Sequence, residues 1–132
     1  MTRTPAILRP DERPTKDRGN GARTTQLVTR KIGSEAMING ITAFDPGASI
    51  GLHFHDCEES VMVIEGTGTV EIDGTRHEMR TGDVTWVPPG VPHRFLNETD
   101  APMAIFWTYA SADATRTLVA TGETRKVASE EA

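Results

Sequence analysis

Residues 47–66 of the chain read Gly47-Ala-Ser-Ile-Gly-Leu-His53-Phe-His55-Asp-Cys-Glu-Glu59-Ser-Val-Met-Val-Ile-Glu-Gly66. His53 and His55 flank a single residue, so on a β-strand both imidazoles project from the same face. Glu59 follows after a short gap, and an alternating apolar pattern then continues from Val61. Imidazole suits zinc, copper, iron and nickel, and a carboxylate adds negative charge. Two imidazoles and a carboxylate directed into one space therefore indicate a site for a first-row transition-metal ion.

Such a site needs at least one more ligand, and a later part of the sequence supplies it at His93. This histidine lies on a predicted strand that is framed by Gly82, Pro88, Gly90 and Asn97. The chain has four histidines in total, so three of the four fall into one candidate ligand set. A chance convergence of this kind is much less expected than a single histidine on an apolar strand.

The same two stretches resemble the two sequence motifs of the cupin family. The first motif is matched at every position, by Gly47, five residues, His53-x-His55, three residues, Glu59, six residues and Gly66. The second is also complete, with Gly82, five residues, Pro88-x-Gly90, two residues, His93, three residues and Asn97. The interval 67–81 has the short length that is typical of small bacterial cupins. Two complete motifs in the right order are a far more specific signal than one.

The resemblance implies a small single-domain cupin of the RmlC-like superfamily. The implied fold is all-β, a cupin-type jelly-roll β-barrel, with one divalent transition metal per chain (Fe, Mn, Zn, Ni or Cu). The implied metal ligands are His53, His55, Glu59 and His93. Glu59 is also the candidate catalytic residue, because in some cupins the glutamate dissociates from the metal and serves as a base. The resemblance implies no substrate, since cupins include dioxygenases, isomerases, lyases, decarboxylases and binding proteins.

The identity of the inward carboxylate is open at this stage, because Glu58 stands beside Glu59. The family spacing tolerates some variation in this gap. The alternation of side chains along a strand favours Glu59. This residue lies on the same strand face as Val61 and Val63, and it points into the barrel if those valines do.

Length and composition favour one soluble domain. A chain of 132 residues can bury a core without disulfides, and the single cysteine, Cys57, excludes an internal disulfide framework. Twelve glycines and eight prolines suit an all-β fold with many tight turns. No apolar run is long enough to span a bilayer, and the N-terminus lacks the apolar segment of a signal peptide. We therefore expect a cytoplasmic protein that does not bind membranes.

Turn signals divide the chain into three regions. Residues 1–24 hold prolines, glycines and charges without a periodic apolar face, which predicts an extended or partly disordered N-terminal arm. Residues 25–110 are predicted to form the barrel, with strands at 26–32, 36–44, 50–55, 60–65, 69–72, 76–79, 84–87, 91–96 and 103–109. Residues 111–132 are predicted to be a polar C-terminal tail that packs partly on the barrel.

The charge is distributed unevenly along the chain. The first 31 residues carry eight Arg and Lys against three Asp and Glu, whereas the whole chain has a net charge of −5. A basic arm could bind nucleic acid, but this one lacks interleaved aromatic residues and a helical pattern. We therefore expect it to lie along the acidic body of its own subunit or of a partner subunit, and we expect no nucleic-acid partner.

Three histidines and one glutamate leave open positions on an octahedral ion, which favours an enzyme that binds a small polar organic substrate. With iron(II), substrate and O₂ could bind together, and a dioxygenase-type oxidoreductase is the first prediction. With zinc, manganese or nickel, the ion would act as a Lewis acid in an isomerase or lyase. The third possibility is a non-catalytic cupin that binds a small molecule or a metal. The first 31 residues lack the two amphipathic helices that a fused DNA-binding sensor would need.

Four further features were weighed. Met62 and Ile64 give one predicted strand a second apolar face, which predicts cover by a second sheet or by a partner subunit in a homodimer. Arg116 could fold over the barrel mouth and bind a carboxylate with two hydrogen bonds, although a surface position is the simpler interpretation. His77 is expected on an exposed hairpin and Cys57 on a loop, and neither is assigned a role.

Overall fold

The computed structural model describes residues 3–130, and nearly half of them lie in β-strands. In chain order the strands are β1 Lys16–Gly19, β2 Ala22–Gln26, β3 Ile38–Phe44, β4 His53–His55, β5 Glu59–Glu65, β6 Thr67–Ile72, β7 Thr75–Arg80, β8 Val84–Val87, β9 His93–Leu96, β10 Met103–Tyr109, β11 Thr115–Leu118 and β12 Thr124–Lys126. Short 3₁₀ turns lie at Pro10–Glu12, Arg30–Ile32 and Val127–Glu130. Within the described residues, no helix is long and apolar enough to cross a membrane.

The strands form two six-stranded antiparallel sheets. One sheet has the order β1-β2-β3-β10-β5-β8, and the other has the order β12-β11-β4-β9-β6-β7. Strands that are distant in sequence pair within each sheet, for example β3 with β10 and β4 with β11. This arrangement confirms the prediction of an all-β, jelly-roll fold.

The core lies between the two sheets and is built by alternation along the strands. On β5, Val61 and Val63 are buried, while Met62 and Ile64 are each 40% exposed. The two valines belong to the same buried cluster as Phe95 of β9 in the opposite sheet. The face of β5 that carries Val61 and Val63 is therefore buried, as the alternation of its side chains predicts. The other apolar face of β5 is partly open to solvent in the single chain.

The strand series begins inside the predicted N-terminal arm of residues 1–24. β1 and β2 form a hairpin, and β2 pairs along β3, so this part of the chain belongs to a sheet. Two of the three buried side chains of β2 are polar: Thr24 Oγ1 lies 3.0 Å from Thr42 Oγ1, and Gln26 Nε2 donates to the backbone carbonyl of Val127 at 2.8 Å. Because buried polar residues leave no apolar alternation, the sequence pattern did not reveal these strands.

The strand predicted at 26–32 ends at its first residue, Gln26. The hydroxyl of Thr29 accepts a hydrogen bond from the backbone of the 3₁₀ turn Arg30–Ile32 and caps its start. Gly33 ends that turn with a φ of 105°, a conformation that favours glycine. Of the apolar residues predicted on this strand, Leu27 and Val28 therefore lie between β2 and the turn, and Ile32 lies on the turn.

The C-terminal tail predicted at residues 111–132 contributes more than partial packing. β11 pairs with β4 on one side and with β12 on the other, so the tail extends the second sheet by two strands. Val127, which follows β12, is buried in the core. The polar composition of β11 and β12 explains why the sequence indicated an irregular tail.

Asn97, the last residue of the second sequence motif, ties together the loops at one end of the sheets. The side chain is buried, and its Nδ2 donates to the backbone carbonyls of Phe44, Asp45 and Ala101 at 3.3, 3.1 and 2.8 Å. Its Oδ1 accepts hydrogen bonds from the backbone nitrogen and hydroxyl of Thr99. This motif position is therefore structural, because it fixes the end of β9 against β3.

Candidate metal centre

Two neighbouring strands of one sheet and one strand of the facing sheet place the candidate ligands. His53 and His55 are the first and last residues of β4, and His93 begins β9, directly opposite His53 in the strand register. Glu59 begins β5, in the facing sheet. All four side chains are buried, with 2 to 3% of their surface exposed. The spacing of two on β4 puts both imidazoles on the inner face, as the sequence predicts.

The four side chains converge. One ligand atom from each of His53, His55, Glu59 and His93 lies within 4.8 Å of the others. The three imidazole ring centroids are 4.6 to 5.2 Å apart. The buried ring of Tyr109 packs beside this group, with its centroid 4.3 Å from that of His55. The strand pairing thus gathers residues from both sequence motifs into one buried point.

Backbone carbonyls fix the proton of each imidazole. Nδ1 of His53 lies 2.7 Å from the carbonyl oxygen of Gly51, and Nδ1 of His93 lies 2.8 Å from that of Val91. Nδ1 of His55 lies 2.9 Å from the carbonyl oxygen of Thr115 on β11. A carbonyl oxygen can only accept a hydrogen bond, so in each case Nδ1 donates. In the neutral form of each ring, Nε2 therefore keeps its lone pair for a ligand in the interior.

The donor atoms fit a metal ion. Nε2 of His55 lies 3.0 Å from Oε2 of Glu59, and Nε2 of His93 lies 3.1 Å from Oε1. Despite this proximity, His55 Nε2 and Glu59 Oε1 have no partner with hydrogen-bonding geometry among the described residues. Lone pairs of neutral imidazoles that face a carboxylate repel it unless a proton or a cation lies between them. A divalent cation would satisfy all four groups at once.

Electrostatics favour the ionisation states that metal ligands need. Burial on its own would raise the pKa of Glu59, but the imidazoles of His55 and His93 hold that pKa below its ordinary value. Burial lowers the pKa of His53 well below its usual range, and the Arg116 guanidinium lowers it further. Burial acts against protonation of His93 as well, but the adjacent Glu59 raises its pKa. Glu59 is therefore ionised and His53 neutral at pH 7, the forms in which they bind metal.

The structure decides between the two neighbouring glutamates. Glu59 points into the cluster, while Glu58 lies on the other side of the backbone and accepts a hydrogen bond from Nε1 of Trp86 at 3.0 Å. Parity along β5, which begins at Glu59, is thus a reliable guide to the inward carboxylate.

Three further residues from the sequence analysis, His77, Cys57 and Arg116, lie outside the cluster of candidate ligands. His77 is exposed on β7, and Cys57 is partly buried, with a thiol whose pKa is raised by burial and by the nearby Asp56. A raised pKa leaves less thiolate, so the cysteine shows no sign of activation. Arg116 is buried on β11, opposite His55, and the expectation of a surface position is wrong.

The backbone partners of the imidazoles could not be read from the sequence. A carbonyl oxygen belongs to every residue, so neither Gly51, Val91 nor Thr115 carries a residue-type signal. The partner of His55 comes from a strand that the sequence did not predict. Only the assembled sheet shows that the C-terminal part of the chain supports a ligand.

Comparison with known proteins gives a family and several relatives. The sequence model described as the cupin domain matches residues 40–109, which is more than half of the chain. The chain is 34% identical over 91 residues to Protein SchB of Streptomyces halstedii, an alignment that covers 68% of this chain and 65% of that protein. It is 33% identical over 88 residues to Polyketide synthase CurC of Streptomyces cyaneus, covering 66% of this chain and 56% of that protein. The matches span between about half and two thirds of the length of these relatives.

Solved structures share the fold. The polyketide cyclase RemF from Streptomyces resistomycificus superposes with a TM-score of 0.75 at 18% sequence identity, covering 94% of this chain and 86% of that chain. At this identity the likeness concerns the fold alone. The two motifs, the paired sheets and the family match agree with one another. The chain belongs to the cupin family.

Proposed function

We propose that this cupin is a metal-dependent enzyme that binds a small organic substrate through oxygen atoms. His53, His55, Glu59 and His93 would hold one divalent transition-metal ion. The observation that carries the proposal is the orientation of the imidazoles. Each ring is fixed through Nδ1 by a backbone carbonyl, so the Nε2 lone pairs and a buried carboxylate converge. Three lone pairs and a carboxylate that face one another favour a bound cation, whereas they would repel one another in a core without one.

The protein itself would hold the metal ion, orient the ligand side chains and exclude water from the site. When bound, a metal at this site supplies Lewis-acid chemistry or, in the case of iron, redox chemistry with O₂. The carbonyl partners of the three histidines raise the basicity of the ligand nitrogens and keep the rings aligned. Burial of all four ligand side chains excludes bulk water and strengthens every charge interaction there.

The first candidate reaction is dioxygenation of the substrate. Among the described residues, Glu59 is the one buried carboxylate, and it already belongs to the donor set. A reaction driven by proton abstraction benefits from a second positioned acid or base, whereas dioxygenation does not require one. The composition of the buried site therefore supports the oxidoreductase slightly better than the isomerase.

The second candidate is Lewis-acid chemistry on a substrate with several carbonyl groups. Two proteins that resemble this chain are described as a polyketide synthase and a polyketide cyclase. A 1,3-dicarbonyl group offers two oxygens to one ion and forms an enolate once a proton is removed. In this reaction Glu59 would be the base, which is the role considered for it from the sequence.

Reconstitution with single metals separates the two candidates. Protein stripped of metal is reloaded with iron(II) or zinc(II) and mixed with 1,3-dicarbonyl compounds, catechols or 2-hydroxybenzoates. We expect substrate-dependent oxygen consumption with iron(II), measured with an oxygen electrode, and its loss in His93→Ala. Turnover of a dicarbonyl by the zinc form, without oxygen consumption, would support the second candidate. Reloaded protein that binds none of these chelating compounds in a spectroscopic titration would contradict the enzyme proposal.

We also propose a homodimer formed through the outer face of β5 and β8. Met62 and Val84 are directly opposite each other in the register of these strands, and both are at least 40% exposed. Trp86 and Ile64 extend the same apolar region, and β8 is the last strand of its sheet. Apolar patches of neighbouring large side chains commonly mark protein interfaces, and a second copy offers the matching surface.

A charge introduced into this face is expected to dissociate the dimer. Val84→Glu would place a carboxylate in the centre of the patch, where burial without a partner is unfavourable. Light scattering should give twice the chain mass of 14.4 kDa for the wild type and the chain mass for the variant. Ile7→Glu is the matched control, because Ile7 is 81% exposed outside this region. A wild-type protein that is monomeric at all concentrations would exclude the dimer.

A further inference from the structure

A cavity of about 290 Å³ lies where the outermost strands of the two sheets approach each other. β1 ends one sheet and β12 ends the other. The cavity is lined by residues 16–18 of β1 and, from the C-terminal strands and their connection, by Arg116, Leu118, Glu123 and Arg125. Ligand sites in proteins usually begin at a volume of about 300 Å³, so this space suits a small group and not a whole large ligand.

The lining of this cavity is predominantly cationic. The lining contains four basic residues and two acidic ones: Lys16, Arg18, Arg116 and Arg125 against Asp17 and Glu123. One of the acidic residues, Glu123, is paired with Arg125, whose Nε lies 2.5 Å from Oε1. The other, Asp17, accepts a hydrogen bond from the backbone nitrogen of Gly19 at the end of β1. The cavity therefore has an excess of positive charge that favours an anion.

Arg116 connects this cavity to the metal centre. It lies opposite His55 in the register of β4 and β11, and residues directly opposite in antiparallel strands project from the same face. Arg116 is 8% exposed, and it is one of the residues that line the cavity. One buried guanidinium thus lines the cavity and lies on the same face of its sheet as His55 of the cluster.

We propose that this cavity binds an anionic group of the substrate, a carboxylate or a phosphate, and that Arg116 receives it. The planar guanidinium can donate two parallel hydrogen bonds to either group, and burial strengthens the interaction. The anionic group in the cavity would orient the substrate toward the ligands in the barrel. That orienting role rests on the proposed function, whereas binding of the anion does not require the metal.

The test uses small anions on metal-free protein. Sodium phosphate and sodium malonate are titrated separately into wild type and variants by calorimetry at low ionic strength. We expect binding that weakens at least about tenfold in Arg116→Met and less in Arg116→Lys, since lysine keeps the charge but loses the paired hydrogen bonds. Tighter binding of phosphate would indicate a phosphorylated substrate, and tighter binding of malonate a carboxylic acid.

Three controls separate anion binding from folding and from metal chemistry. Lys16→Met/Arg125→Met removes two charges at exposed or partly exposed positions and should weaken binding even if Arg116→Met does not fold. Arg80→Met, whose side chain is 77% exposed on β7, should leave binding unchanged. Wild-type protein that binds neither anion, or binding unaffected in both Arg116→Lys and the double variant, would overturn the inference. Metal content that stays the same in Arg116→Lys shows that the outcome is independent of the metal site.

Discussion

Replacing His53 or His93 with alanine is expected to reduce the bound metal from about one ion per chain to less than about a tenth of that amount. The two residues face each other across β4 and β9, and each presents an Nε2 lone pair to the same buried point. Loss of either imidazole leaves three donors and an opening in the site. The measurement is elemental analysis of protein purified without chelators and without a nickel column.

His77→Ala is the matched control for these variants, because His77 lies on β7, exposed and outside the cluster. Its metal content should equal that of the wild type. Circular dichroism of all three variants would show whether a loss of metal reflects a loss of folding. Wild-type protein that contains no metal and takes up none of iron, zinc, manganese, nickel or copper would contradict the metal centre itself.

The convergence of the candidate ligands could be predicted because much of its geometry is local. A separation of two on a strand places His53 and His55 on one face, and parity on the next strand selects Glu59 over Glu58. These inferences need only the pleat of a β-strand, and the structure has both strands where the motifs indicate them. His93 is more distant in sequence, so strand geometry alone did not place it beside the others, and the resemblance to the cupin family supported its inclusion.

The two ends of the chain could not be predicted in the same way. β2 buries Thr24 and Gln26, and β11 buries Arg116, so neither strand shows the apolar alternation by which strands are recognised. Their polar groups are satisfied by tertiary partners, such as the carbonyl of Val127 for Gln26. Because those partners are far away in sequence, no local pattern contains the information. This part of the chain nevertheless bears on the cluster, since β11 carries both the carbonyl that accepts from His55 and Arg116, which lies opposite His55.

Replacing Glu59 with glutamine tests the role of charge in the cluster. Glutamine keeps the size of the side chain and one oxygen, but it removes the negative charge that faces His55 and His93. Loss of a residue that only supports a ligand typically costs 10- to 100-fold in metal affinity, so loss of the charged ligand should cost at least about 100-fold. The affinity is measured by competition with a metal-binding dye, and substrate turnover should fall together with metal occupancy.

Glu58→Gln is the matched control for this change, because it alters the neighbouring carboxylate, which accepts a hydrogen bond from Trp86 outside the cluster. Its metal affinity should stay within about twofold of the wild type, as expected for an exposed carboxylate that is directed away from the cluster. In metal-free protein, Glu59→Gln is also expected to lower the pKa of His93, because the Glu59 carboxylate is what raises that pKa against the effect of burial. Nitrogen-detected NMR of the imidazole reports this change directly. If Glu58→Gln lost the metal and Glu59→Gln kept it, the inward carboxylate would be misassigned; equal affinities in both variants would instead mean that three imidazoles hold the ion and that Glu59 serves only as a base.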